Sequence, residues 1–202
     1  MKDEYSVPAN ESKFIMKVKN SRFIGYASRT ESVQEAVTFI HQKKEKEKGC
    51  THAVYAYCIG FGKSVVLGMS DAGEPSGTAG RPVLEVLKGS GIGDITVVVI
   101  RYFGGIKLGT GGLVHAYSET AKETISKLKV IKKQVMKKLC ILLKYENYNP
   151  AYRLIIQYNG EILEKTFDKK INLIVNIPDK QISNFIALLQ DVCSGKASIK
   201  EV

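Results

Sequence analysis

The fold is indicated most directly by a stretch near the end of the chain, residues 161–177, which read EILEKTFDKKINLIVNI. Residues 161–167 and 171–177 are rich in apolar and β-branched side chains, and the polar turn Asp168-Lys169-Lys170 separates them. Two such runs joined by a short polar turn predict a β-hairpin.

The segments on either side of the hairpin extend it to a known order of elements. Apolar residues at helical spacing predict helices over residues 150–158 and 178–189, and Pro178 suits the start of the second helix. Strands are predicted at the two outer ends, over residues 135–144 and 196–202. The order β-α-β-β-α-β is that of the split-βαβ, or ferredoxin-like, plait.

The preceding part of the chain predicts a mixture of strands and helices. Thr30 is the expected N-cap of a first helix, which ends in the charged run Lys43–Lys48. Tight turns are expected at Asn20-Ser21 and over Gly60–Lys63. Strands are predicted over residues 13–19, 22–29, 51–59, 64–69 and 95–101, and two more helices over residues 78–88 and 113–128.

A lysine-rich run then marks a domain junction, so the predicted fold class is α+β with two domains, residues 1–131 and 132–202. No apolar run reaches the roughly 18 residues of a membrane span, and the opening MKDEYSVPANESK lacks the apolar core of a secretory signal. The four cysteines are widely spaced and form no CxxC pair, which predicts a reducing, cytoplasmic compartment without a disulfide framework.

The chain is basic, with 30 Lys and Arg residues against 20 Asp and Glu residues and a net charge of +10. Such an excess favours a polyanionic partner, and a solvated lysine-rich surface is the alternative. The net charge is +5 in each predicted domain, so we expect the smaller domain to be the more densely basic. Its candidates for nucleic-acid contact are Lys132, Lys133, Lys137, Lys138, Lys169 and Lys170.

Two glycine-rich segments are the main candidates for chemistry: SDAGEPSGTAGRP at residues 70–82 and RYFGGIKLGTGG at residues 101–112. Each precedes a predicted helix, and glycines let backbone N–H groups converge at a helix start, which favours anion binding. Tight turns without a ligand are the alternative. The candidate anion or ligand residues are His52, Asp71, Glu74, Ser76, Gly77, Thr78, Arg81, Arg101, Gly104, Gly105, Lys107, Gly109, Gly111 and Gly112.

Known nucleotide motifs do not fit these segments. Thr110-Gly111 stands where a P-loop needs Lys and Ser/Thr, and Val114 stands where a dinucleotide fingerprint needs its third glycine. A catalytic group of His52, Asp71, Glu74, Ser76 and His115 is conceivable, with the two carboxylates holding a divalent cation or with His52 as a base. Nothing in the spacing shows that these side chains converge, and we predict neither a metal ion nor a cofactor.

The chain closely resembles the YigZ/Impact family in four blocks: SDAGEPSGTAGRP at 70–82, VVVIRYFGGIKLGTGGL at 97–113, KNSRFIG at 19–25 and THAVYAY at 51–57. The resemblance covers almost the whole chain. It implies an N-terminal domain like the second domain of ribosomal protein S5, and a C-terminal domain similar to the last domain of elongation factor G. Two positions depart from the family pattern, Ala72 where an Asp is usual and His115 where an Arg is usual.

The resemblance also bears on function. Eukaryotic Impact relatives regulate translation under amino-acid stress, by competing for the activator of an initiation-factor kinase, and the two-domain build looks like the bacterial branch. We therefore expect a non-enzymatic regulator linked to translation, with RNA, the ribosome or a translation factor as its partner and with no membrane association. One alternative is an enzyme or binder of a phosphorylated metabolite or nucleotide that uses the glycine-rich segments. Another is a protein-interaction module in which these segments only shape a surface.

Overall fold

The computed structural model describes residues 4–62 and 65–202. Tyr5–Lys133 form one compact unit and Gln134–Val202 belong to another, each with its own sheet and hydrophobic core. This division falls two residues after the predicted junction at residue 131. Among the described residues, no helix is both long and apolar enough to cross a bilayer.

The unit Tyr5–Lys133 is built on a five-stranded antiparallel sheet. Its elements in chain order are β1 (Glu4–Pro8), β2 (Ser12–Val18), β3 (Ser21–Arg29), α1 (Val33–Lys46), β4 (His52–Ile59), β5 (Val66–Ser70), α2 (Gly80–Ser90), β6 (Ile95–Tyr102), α3 (Gly109–Ser126) and β7 (Val130–Gln134). The strand order is β2-β3-β6-β4-β5, and β1 pairs with β7 in a separate two-stranded sheet. The sequence did not predict β1 or β7.

The central sheet is buried on both faces, which explains why β6, with the sequence ITVVVIRY, is apolar at almost every position. On one face, Val97 and Val99 pack against α2 and α3. On the other face, Val98 and Ile100 pack with Phe39 of α1. The sheet therefore forms the middle layer of three.

The start of α1 differs from the prediction. Ser32 is the N-cap, since its hydroxyl oxygen accepts a hydrogen bond from the backbone N–H of Glu35 at 3.1 Å. Thr30, the predicted cap, is buried, and its hydroxyl shares a hydrogen bond of 2.7 Å with that of Thr96. Thr30 is thus held by the sheet, and the helix starts one residue after the serine.

Two turns of this unit also differ from the prediction or lie partly outside the described residues. Lys19 and Asn20, with φ values of 43° and 66°, form the loop between β2 and β3, so the predicted turn at Asn20-Ser21 lies one residue too late. Positive φ at both loop residues is the requirement of a type I′ hairpin turn. The predicted turn and strand around Lys63 and Ser64 include these two residues, which lie outside the described residues; β5 begins at Val66.

The unit Gln134–Val202 has the predicted order β8 (Met136–Leu143), α4 (Tyr148–Gln157), β9 (Glu161–Phe167), β10 (Ile171–Pro178), α5 (Ile182–Val192) and β11 (Ser198–Glu201). Its sheet order is β11-β8-β10-β9, so the first and third strands of the plait lie at the centre. Both helices pack on one face of the sheet, over a core that includes Leu139, Leu173 and Phe185. The predicted α+β fold in two domains is confirmed.

Candidate functional site

The first glycine-rich segment connects β5 to α2 and turns back on the start of that helix. Oδ1 of Asp71 accepts backbone hydrogen bonds from Ala79 at 3.0 Å and Gly80 at 2.8 Å, and Oδ2 accepts one from Gly77 at 2.9 Å. Burial disfavours the charge of this carboxylate, but the three N–H donors outweigh it and hold the pKa of Asp71 below its ordinary value. The N–H groups predicted to bind an anion are thus engaged by the chain's own carboxylate.

Gly80 is required at this junction because the backbone of α2 runs directly against β5. A Cβ at position 80 would lie 2.7 Å from the carbonyl carbon of Ser70. Thr78 is buried beside it, and its hydroxyl donates to the carbonyl oxygen of Pro75 at 2.7 Å. These contacts make the segment a compact, self-bonded turn.

Glu74 is the centre of a buried polar cluster. Its Oε1 accepts a hydrogen bond from Nη1 of Arg101 at 2.7 Å and another from the hydroxyl of Tyr117 at 2.7 Å. The three side chains are almost completely buried, and burial together with the neighbouring carboxylate raises the pKa of Tyr117 above its ordinary value. Nη2 of Arg101 also lies 3.5 Å from the hydroxyl of Ser21. The cluster joins the glycine-rich segment to β6, α3 and β3.

His52 lies at the more exposed side of this cluster. Its Nδ1 is 2.9 Å from the carbonyl oxygen of Ala72, and because a carbonyl only accepts hydrogen bonds, Nδ1 carries the proton. Nε2 lies 3.8 Å from Oε1 of Glu74, and the side chain is 20% exposed. Gly73, with φ of 88°, allows the loop to lie against the imidazole ring.

The second glycine-rich segment shapes a close approach between loops. A Cβ at Gly104 would lie 2.1 Å from the carbonyl carbon of Asn20, so only glycine fits there. The backbone N–H of Gly104 donates to the hydroxyl of Ser21 at 3.2 Å. α3 begins four residues earlier than predicted, at Gly109, and Leu108 at its N-cap makes no side-chain capping hydrogen bond. Lys107 and Gly105 are exposed beside this helix start.

The structure brings together only part of the predicted site. His52, Glu74 and Arg101 meet in the buried cluster, whereas Asp71 is bonded to the start of α2. Ser76 and Arg81 are exposed, and Arg81 lines an open groove of about 520 Å³ between α2 and α3 with Gly77, Pro82, Glu85, Val86, Val114 and Ser118. No hydrogen bond or ion pair of the described residues joins Ser76 or His115 to the cluster.

Sequence reasoning missed two members of the cluster, Tyr117 and Ser21. A signal for Tyr117 was available, because it falls on the apolar stripe of α3 and a buried tyrosine hydroxyl needs a hydrogen-bond partner. Ser21 carries no such signal, since its role depends on the meeting of two loops. In the described part of the chain, no three His, Cys, Asp or Glu side chains are grouped as a metal site.

The lysines that were predicted to contact nucleic acid have varied surroundings. Nζ of Lys133 lies 2.7 Å from Asp94 and 2.8 Å from Glu31, and although burial disfavours its charge, these carboxylates raise the pKa of Lys133 above its ordinary value. Lys137 pairs with Glu201 at 3.0 Å. Nζ of Lys132 donates to the hydroxyl of Ser6 at 3.2 Å, whereas Lys138, Lys169 and Lys170 are exposed.

The net charge of each domain differs from the prediction when it is counted over the two units of the structure. Tyr5–Lys133 contains 19 Lys and Arg against 11 Asp and Glu, a net charge of +8. Gln134–Val202 contains 10 against 7, a net charge of +3. The expectation that the smaller domain is the more densely basic one is therefore wrong, because Lys132 and Lys133 belong to β7 of the larger unit.

Comparison with known proteins identifies the family. The model of the Impact N-terminal domain matches residues 19–125, which include the whole buried cluster, and that of a domain of unknown function, DUF1949, matches residues 142–196. A Haemophilus influenzae protein named as an IMPACT family member is 38% identical over 98% of this chain and 96% of its own length. The chain belongs to the Impact family. The Escherichia coli member YigZ is 33% identical over 98% of this chain and 97% of its own.

A solved structure supports the same assignment. The crystal structure of a hypothetical protein, 32% identical, superposes with a TM-score of 0.84 and covers 100% of this chain and 98% of its own. The Impact match places Ser21, His52, Glu74, Arg101 and Tyr117 in one family domain. The cluster is therefore part of the folded body of the Impact domain.

Proposed function

We propose that the protein is a non-enzymatic RNA-binding protein that acts in translation, either on RNA itself or on the ribosome. The observation that carries the proposal is the net charge of +8 on Tyr5–Lys133. The ion pairs of this unit include Glu74–Arg101, Glu11–Lys43, Asp94–Lys133 and the contacts of Glu31 with both Arg29 and Lys133. These contacts use four carboxylates and four cations, so the excess positive charge lies on other lysines and arginines, most of them exposed, which a polyanion can contact.

The link to translation rests on the family. Eukaryotic Impact relatives regulate translation, and the chain belongs to the same family through its N-terminal domain. The family supports a place in translation, and the charge supports RNA as the component that is contacted.

The contacts of the glycine-rich segments count against the alternative, a metal-dependent enzyme or binder of a phosphorylated small molecule. Both oxygens of Asp71 accept backbone hydrogen bonds, and Oε1 of Glu74 accepts from Arg101 and Tyr117. These hydrogen bonds already use three of the four carboxylate oxygens that a divalent cation would need. They support a structural role for the first segment, and the close approach at Gly104 supports the same role for the second.

The proposal is tested by binding of the full chain to mixed cellular RNA and to ribosomes, each at low and high salt. Phosphate contacts predict that the logarithm of the association constant falls linearly with the logarithm of salt concentration, by about 0.7 per contacted phosphate for single strands. Absence of binding to both RNA and ribosomes at low salt would refute the proposal.

A parallel thermal-shift screen with nucleotides and Mg²⁺ tests the alternative. A ligand present at 100 times its Kd should stabilise the protein by about 2.7 kcal/mol. A shift of that size with a phosphate compound, together with no RNA binding, would favour the small-molecule alternative.

A further inference from the structure

A group of cations lies at one end of the central sheet, on the side of α1. α1 packs over β4 and β6 and leaves the edge strand β2 exposed on this face, where Ile15 is 49% exposed. We call the following residues the basic face: Lys13, Lys17, Lys19, Arg22, Lys46 and Lys48. All six are exposed, and four of them come from the hairpin of β2 and β3.

The strand register arranges three of these side chains in one row. Lys17 stands directly opposite Arg22, and Arg22 stands opposite Tyr102 on the next strand, so all three point to the same side of the sheet. The guanidinium carbon of Arg22 lies 4.4 Å from the centroid of the Tyr102 ring. The row therefore places two cations side by side, with an aromatic ring next to the second.

The end of α1 is held beside this row by Glu47. Its carboxylate accepts hydrogen bonds from the hydroxyls of Tyr26 at 2.5 Å and Tyr102 at 3.0 Å, and it lies 3.7 Å from Nζ of Lys13. Burial disfavours the charge of Glu47, but the two tyrosine hydroxyls and the charges of Lys13 and Arg22 together outweigh it and hold its pKa below the ordinary value. Glu47 thus brings one carboxylate into contact with the basic face, and its neighbour Lys48 follows it at the rim.

Two features of the basic face oppose stability. Like charges directly opposite each other on paired strands are destabilising, and Lys17 with Arg22 is such a pair. Lys19 has a φ of 43°, in the left-handed region that Asn and Gly adopt more readily than lysine. Backbone strain of this kind is more common at functional sites than elsewhere. A bound polyanion would relieve the repulsion between the two cations.

We infer that the basic face binds the phosphate backbone of single-stranded RNA without reading its sequence. This inference rests on the proposed function and assigns it to one surface. A positively charged surface that follows the backbone, with aromatic rings beside it, is a common means by which proteins hold single strands. β2 has seven residues at about 3.4 Å each, or roughly 24 Å, long enough to follow several nucleotides.

The test is fluorescence anisotropy of the full chain with a labelled single-stranded RNA of about 12 nucleotides, a length within the roughly 4–16 nucleotides that a single-strand-binding OB fold covers. The variant K17Q/R22Q removes two cations from the basic face. Its matched control, K169Q/K170Q, removes two exposed cations from the turn between β9 and β10. Far-UV circular dichroism and a thermal melt confirm that both variants fold, and K46Q/K48Q is a second variant of the basic face that leaves the hairpin intact.

Loss of two phosphate contacts predicts a decrease of about 1.4 in the salt slope and about 25-fold weaker binding at 0.1 M salt, with the control unchanged. If wild type binds and both basic-face variants bind equally well, the inference is overturned while the proposed function stands. Equal weakening in the control would also overturn it, because affinity would then follow net charge alone. Preference for duplex RNA of the same sequence would contradict the single-strand assignment. If the wild type does not bind this RNA but does bind mixed cellular RNA or ribosomes, the inference is overturned while the proposed function stands; absence of binding to all three would refute the proposed function itself.

Discussion

Replacement of Glu74 by glutamine is expected to destabilise the unit Tyr5–Lys133 by about 3 kcal/mol, because the charge of Arg101 would remain buried without its counter-ion. Glu74 is 8% exposed and Arg101 4% exposed, and Oε1 of Glu74 lies 2.7 Å from Nη1 of Arg101. Removal of one partner from a buried pair costs about 3–5 kcal/mol, and glutamine falls at the lower end because it keeps an oxygen that accepts from Arg101 and Tyr117. A decrease of about 3 kcal/mol in the free energy of unfolding raises the population of the unfolded state roughly 150-fold.

Cysteine labelling measures this change in one unit at a time. Cys58 lies in the core of Tyr5–Lys133 and Cys193 in the core of Gln134–Val202. Burial raises the pKa of the Cys58 thiol to about 11, so the folded state resists alkylation. Mass spectrometry after timed exposure to a thiol reagent should show roughly 150-fold faster modification of Cys58 in E74Q. Cys193 serves as the internal reference.

A double replacement separates charge pairing from packing. The variant E74L leaves Arg101 charged and buried, whereas E74L/R101M leaves no buried charge in the pair. The double variant should therefore be more stable than E74L alone. Two results would refute a stabilising role of the buried pair: modification of Cys58 in E74Q at the wild-type rate, or an E74L/R101M variant that is no more stable than E74L.

Three further predictions concern other parts of the first unit. D71N should lower the free energy of unfolding by about 1–2 kcal/mol at neutral pH, because it weakens the capping of α2. Since the pKa of Asp71 is lowered in the folded state, the stability that its charge provides is complete above the unfolded pKa of about 3.9 and is lost as pH falls through the folded pKa. Thermal melts of wild type and D71N that differ equally at pH 3 and pH 7 would contradict this prediction. K17Q alone should raise the unfolding free energy by about 0.2–1 kcal/mol in urea titrations while weakening RNA binding, because it removes the repulsion with Arg22. G25A should lower the melting temperature by overpacking worth about 1–3 kcal/mol, because its Cβ would lie 1.9 Å from Oγ1 of Thr124, and T124A should restore part of the loss.

The unit Gln134–Val202 was the easier part of the fold to predict from the sequence. Residues 161–167 form β9 with the predicted bounds, because apolar runs, a polar turn and helical spacing are local signals. β1 and β7 were missed for the opposite reason. Each strand has only five residues, and the two pair although nearly the whole unit Tyr5–Lys133 separates them along the chain. No local turn in the sequence therefore indicates that they pair.

The candidate site shows the same limit. Glycine content and the neighbouring charges pointed to residues 70–82 and 101–112, but spacing alone does not show where a carboxylate points. In the structure, Asp71 accepts hydrogen bonds from the start of α2, and Glu74 accepts one from Arg101. The basic face could not be predicted from the sequence for a further reason. Lys17 and Arg22 become neighbours only because the turn at Lys19-Asn20 sets the register of the hairpin.

Protection of lysines from acetylation tests RNA binding by the basic face most directly. The full chain is acetylated briefly at low salt with and without single-stranded RNA, and mass spectrometry compares the rates at each lysine. We predict that Lys17, Lys19 and Lys48 are protected by RNA, whereas Lys169 and Lys170 react equally with and without it. Protection confined to residues 134–202, with the basic face unchanged, would contradict the account.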